Sequence, residues 1–193
     1  MKKLFFILIF IINLHFAAYS DDIKDFEIEG FSIGQSLLDH FSSNEIENNR
    51  MNYTDGKKKF YVVGFNKISK TYDIIEFYLK TSDKKFTVHG INAGIFYESD
   101  IKQCENKKKQ IVNEIRNIFD EQNMTDYGEF SHTYDKTGDS KQTAVIFEVD
   151  NGHSRVECIN WSKKITKEYN WIDNLGISAL SNEVILWIEN GYQ

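Results

Sequence analysis

The chain has 193 residues, of which 27% are charged and 41% hydrophobic, and a formal net charge of −6. An acidic balance of this size argues against nucleic acid or an anionic membrane surface as the main partner, and solubility is its plain role. After the first twenty residues, no stretch approaches the roughly 18 apolar residues that a membrane span requires.

Those first twenty, MKKLFFILIFIINLHFAAYS, read as a secretory signal peptide. Lys2 and Lys3 form its positive start, residues 4–14 its apolar stretch, and Ala18-Tyr19-Ser20 its small-x-small cut. Cleavage after Ser20 removes 20 of the 193 residues and leaves 173, in which 21 basic residues face 29 acidic ones, a net charge of −8. The chain has no proline and is rich in lysine, asparagine and isoleucine, the codon bias of an AT-rich genome. With a short Lys-Lys signal peptide this fits a bacterium, so the expected location is the periplasm or outside the cell.

Residues 25–29 alternate charge and apolar, the period of a short exposed strand. Ser32 and Gln35 are spaced as a capping box, and Leu37, Leu38 and Phe41 follow at helical spacing, which predicts a helix over 33–42. A polar, mobile stretch over 43–59 comes next, then three strands at 60–65, 72–80 and 86–97. The last carries Gly90 and Gly94, where a bulge or bend is expected. The strongest helix spans about 100–121, with Ile101, Cys104, Ile111, Ile115, Ile118 and Phe119 in one stripe and Lys107 to Lys109 mostly on the wet side. Residues 122–140 read as a loop, and Thr143, Val145, Phe147 and Val149 alternate as a strand. Asn151-Gly152 is the preferred dipeptide of a type I′ hairpin, with 155–161 returning antiparallel. A last strand at 174–180 leads to a helix capped by Ser181 or Asn182 and running to about Glu189.

The order helix, three strands, helix, three strands, helix implies an α+β fold, antiparallel sheet with helices packed on one face. Residues 21–193 are expected to form one domain, with a division into two similar halves, about 30–98 and 100–190, left open. Cys104 and Cys158 are the only cysteines. In an exported chain they form one disulfide. It closes a loop of about 55 residues, worth about 4 kcal/mol in the chain-entropy account.

Two serine motifs raise a catalytic reading. Gly30-Phe31-Ser32-Ile33-Gly34 matches G-x-S-x-G, but a hydrolase elbow sits after a buried parallel strand, and the residues before Ser32 are too charged for one. Gly34-Gln35-Ser36-Leu37 is one letter from the G-D-S-L of another esterase class, and Asp150 and His153 supply a late D-x-x-H. Glutamine replaces the aspartate of that motif, and Asp150 and His153 flank a hairpin turn. The remaining histidines of the mature chain, His40, His89 and His132, show no ligand spacing, and Asp135 to Ser140 lacks the ladder of a calcium loop. No metal or cofactor is expected.

Aromatic residues make up 15% of the chain. Trp161, Tyr169 and Trp171 crowd a segment that also carries Lys163, Lys164 and Lys167, a candidate ligand platform. Strand and loop aromatics packing over a core would have the same composition.

FEIEGFSIGQSLLDHFS, IFYESDIKQC and the strand Cys158-Ile159-Asn160-Trp161 together resemble a family of small exported proteins of AT-rich, marine bacteria. The likeness runs over the whole mature chain and brings no activity with it. The expected protein is an exported, disulfide-bridged, non-catalytic module that binds a small molecule, a glycan or another exported protein. The alternative is a small serine hydrolase using Ser36, Asp150 and His153.

Overall fold

The computed structural model describes residues 21–54, 58–98 and 100–191, so the expected signal peptide lies outside the described residues. A two-stranded hairpin, β1 (Glu27–Ile28) and β2 (Phe31–Ser32), precedes the short helix α1 (Ser43–Asn48). A meander of β3 (Phe60–Asn66), β4 (Ile74–Lys80) and β5 (Val88–Phe96) follows, then the long helix α2 (Ile101–Ile115). Next come β6 (Met124–Ser131), β7 (Lys141–Val149), β8 (Gly152–Asn160), the helix α3 (Lys163–Tyr169), β9 (Asn174–Ser181) and α4 (Asn182–Glu189).

Seven of the strands make one antiparallel sheet in the order β3-β4-β5-β9-β8-β7-β6. The last strand in the chain joins the two meanders: β9 pairs with β5 at Gly94↔Gly176 and with β8 at Val156↔Ile177. Alternation in β4 shows why the strands form. Ile75, Phe77 and Leu79 are fully buried on one face while Ile74, Glu76, Tyr78 and Lys80 are partly open on the other. Each such apolar side chain contributes about 1.5–3 kcal/mol on leaving water.

Helices cover both faces, not one as expected. Cys104, Ile111, Val112 and Ile115 of α2 join the core built on Phe77, Ile91, Val156 and Ile177. Val184 and Trp187 of α4 join Phe60 and Leu180 instead. Ile177 and Leu180 sit an odd number of positions apart in β9, so they point to opposite faces. The cause is local: Phe60, Tyr78 and Leu180 make one end of the second face apolar, and the Trp187 ring, 5.5 Å from Phe60, fills it.

The predicted helix over 33–42 does not form. Gly34 adopts φ +95°, its N–H donates to Val88 O at 2.8 Å, and Val88 N–H donates to Gln35 O at 2.9 Å. Gly34 and Gln35 give these backbone groups to the start of β5, and only a 3-10 turn at Leu37–Asp39 forms in the segment. The Gln35 side chain still accepts from Ser32 N–H, which is half of the expected capping box. The complete box lies ten residues on, where Ser42 and Glu45 cap each other's backbone and open α1 inside the stretch expected to be mobile.

Three further departures have physical causes. β6 was hidden in an expected loop because, as an edge strand exposed along most of its length, it shows no alternation. The α2 stripe buries Lys108, whose Nζ reaches Glu105 Oε2 at 2.9 Å and the Thr143 hydroxyl. The two-residue turn after β7 is Asp150-Asn151, with positive φ at Asn151 only, so it is not a type I′ turn centred on Asn151-Gly152. Cys104 and Cys158 stand at disulfide distance, 6.0 Å between Cα atoms, and tie the first turn of α2 to β8. No helix among the described residues is long and apolar enough to cross a membrane.

Candidate functional site

The connection from β8 to β9 builds an aromatic wall. Trp161 leaves the end of β8, and Ser162 caps α3 by accepting from Ile165 N–H. At the other end of α3, Asn170 takes a left-handed conformation that stops the helix and returns Trp171 toward the sheet. Asp173 closes the excursion, since its carboxylate accepts the Trp161 N–H at 2.8 Å. The indole rings of Trp161 and Trp171 are thereby held 4.6 Å apart between centroids.

A second segment, between β6 and β7, adds His132 and Tyr134. The His132 ring lies 4.5 Å from Trp161, and the Tyr134 ring 4.6 Å from Trp171 and 5.6 Å from Tyr169. Asp135 holds this segment in place. One of its carboxylate oxygens accepts from Thr137, the other from the backbone and hydroxyl of Ser140 and from the Ser162 hydroxyl. Those donors, Thr137 foremost, keep its carboxyl well below the usual range. The loop carrying Tyr134 is thus bonded to the cap of the helix that follows Trp161.

The platform expected from sequence, Trp161, Tyr169 and Trp171, is therefore one continuous cluster, enlarged by two rings that the sequence reading left out. The wall borders two clefts. On the α3 side a space of about 680 Å³ is lined by the two tryptophans with Lys163, Lys167, Glu98 and Asp173. Over the sheet a space of about 600 Å³ is lined by His132, Tyr134, Trp161 and Trp171, with Phe96, Asn174 and Glu76.

Glu76 sits in one rung of the sheet with Asn92, Ser178 and Arg155, on β4, β5, β9 and β8 in turn. Its carboxylate accepts from Asn92 Nδ2 at 2.9 Å and from the Tyr53 hydroxyl at 3.5 Å. Burial pushes the carboxyl above the usual carboxylate range, against the pull of these two hydrogen bonds. Arg155 meets Glu157 instead, Nη2 to Oε2 at 2.6 Å, and Gln142 also donates to Glu157. Burial also lowers His132, so its imidazole is neutral at neutral pH.

The hydrolase residues are placed as follows. Ser36 Oγ donates to Lys85 O at 2.6 Å and accepts from Leu38 N–H, capping a single 3-10 turn at Leu37–Asp39. Asp150 N–H and C=O are bonded to the backbone of residues 21 and 23. His153 lies on β8 with Glu148 at 4.0 Å. No hydrogen bond joins Ser36, Asp150 and His153, so the structure does not assemble them as a triad.

His153 has a different consequence. Burial, with the Arg155 charge second, lowers its pKa to about 4, and Glu148 is too exposed to restore it. The unfolded chain takes up this proton near pH 6.5, the folded protein only near pH 4. Stability from this group is complete above pH 6.5 and falls as pH drops through that window, by about 3 kcal/mol at most. Urea midpoints measured from pH 7 to pH 4 should decline, and His153→Gln should flatten the decline; an unchanged slope in the variant contradicts this assignment.

Comparison with protein families, curated proteins and solved structures returned no match to this chain.

Proposed function

We propose that this is an exported binding protein that holds a small organic ligand against the Trp161–Trp171 wall, in the cleft over the sheet. The observation that carries it is the cluster itself: five rings from two separate connections pack together, and four of them, His132, Tyr134, Trp161 and Trp171, line a space of about 600 Å³. A ring that only completes a core is buried, as Trp187 and Phe77 are here, whereas Tyr134 and Tyr169 remain 46% and 43% exposed. A cleft with aromatic walls and a few convergent polar groups suits a ligand with one apolar face and a polar edge. Export rests on the leader-like first twenty residues, and the Cys104–Cys158 pair fits an oxidising compartment.

Saturation-transfer NMR with indole, methyl β-glucoside and choline as probes tests this reading. At least one probe should receive magnetisation from the protein, and Trp171→Ala should weaken its binding about tenfold or more, equivalent to about 1.4 kcal/mol. No transfer to any of the three, or transfer that Trp171→Ala leaves unchanged, overturns it.

A further inference from the structure

Resting on that reading of the cleft, we propose that its ligand is an organic ammonium ion, with Glu76 as the counter-charge. Buried carboxylates in folded proteins are paired with a cation or carry a proton, because an unpaired charge out of water is costly. The sheet holds one carboxylate with its cation and one without. Glu157 is paired with Arg155 at 2.6 Å. Glu76, in the same rung as Arg155, receives only the Asn92 amide and the Tyr53 hydroxyl, and no ion pair reaches it among the described residues.

Glu76 lines the cleft together with the tryptophan wall and Phe96, and no lysine or arginine lines that space among the described residues. A ligand bringing one positive charge completes the pairing that the protein leaves unmade. The walls suit the same ligand, since aromatic faces are negative and attract a cation lying within about 6 Å of the ring centre. Neutral His132 adds no competing charge. Burial raises the Glu76 carboxyl, a cost of ionisation that a ligand cation beside it would offset. The cleft on the other side of the wall carries Lys163 and Lys167 beside Glu98 and Asp173, so cations of the chain already stand among its carboxylates.

Choline and its uncharged carbon analogue 3,3-dimethylbutan-1-ol separate charge from shape. Titrated calorimetrically into the full mature chain, choline should bind at least tenfold more tightly. Glu76→Gln keeps the shape, an acceptor oxygen for Asn92 and an amide N–H that the Tyr53 hydroxyl can accept, so it should erase that preference by weakening choline to the level of the analogue. It should also be no less stable to urea than the native chain, whereas a Glu76 serving only the fold would lose stability on this change. Equal binding of the two compounds, both lost in Trp171→Ala, overturns the ammonium assignment and leaves the aromatic site standing. So does indole binding, dependent on Trp171, with no binding of choline. Binding of none of these compounds overturns both.

Discussion

Gly152→Ala should cost more than about 4 kcal/mol and leave little folded protein, the size of loss reserved for a direct steric conflict. A Cβ at this position would stand 2.1 Å from the carbonyl oxygen of Leu180 and 2.9 Å from Ile23 Cγ2. The first of these is backbone, so no side-chain rotation relieves it. Gly152 pairs with Val149 on one side and Ser181 on the other, at the point where β7, β8 and β9 converge. The start of the described chain closes over the same point: Ile23 N–H donates to Asp150 O at 3.1 Å, and the Asn151 side chain donates to Asp22 at 2.9 Å. A methyl group there must displace either the central strand of the sheet or the segment that covers it. Urea unfolding of Gly152→Ala beside the native chain measures the loss, and a difference below about 1 kcal/mol contradicts the close approach.

Replacing Cys104 and Cys158 together by alanine should lower stability by about 4 kcal/mol in the chain-entropy account. The two residues are 54 positions apart in sequence, and the segment they enclose includes most of α2, β6 and β7. Without the bond the unfolded chain regains the freedom of that loop. Both cysteines are fully buried in the native state, at 0% and 1% exposure, so the alanines also leave a small cavity. The native contacts of α2 on Val156 and Ile177 do not depend on the bond, so the variant should keep the native circular dichroism and unfold cooperatively at lower urea. A midpoint equal to that of the oxidised protein would show that the bridge adds nothing. Adding reductant to the native chain should lower its midpoint to that of the variant.

Local signals in the sequence carried the strands other than β6 and the long helix. Ile75, Phe77 and Leu79 alternate, the α2 stripe recurs at helical spacing, and two cysteines in an exported chain allow a single intramolecular pairing. The errors arose where tertiary partners outweighed local pattern. Ser32 and Gln35 have the spacing of a helix start, but Val88 takes the backbone groups that a helix would use. Lys108 lies in a charged run, yet Thr143 and Glu105 give its ammonium partners under α2.

The site divides the same way. Trp161, Tyr169 and Trp171 lie within eleven residues and were visible as a crowd. His132 and Tyr134 come from a separate connection, which the Asp135 bonds to Ser140 and Ser162 help to bring alongside. Glu76 was the hardest to see, because its place depends on β9 inserting between β5 and β8. A trace of it was present as the lone charge in Ile74-Ile75-Glu76-Phe77-Tyr78, on the face that the buried residues of β4 avoid.

The most direct test of the aromatic cleft uses the three tryptophans of the chain, two in the wall and one in the core. Trp187 is 1% exposed beneath α4, packed on Phe60 and Tyr78, and serves as an internal control. In a ¹⁵N-labelled sample titrated with choline, the indole N–H signals of Trp161 and Trp171 should shift together along one saturable curve while Trp187 stays fixed. Three signals unmoved by choline, indole and methyl β-glucoside alike, or a shift confined to Trp187, would contradict a ligand site at this wall.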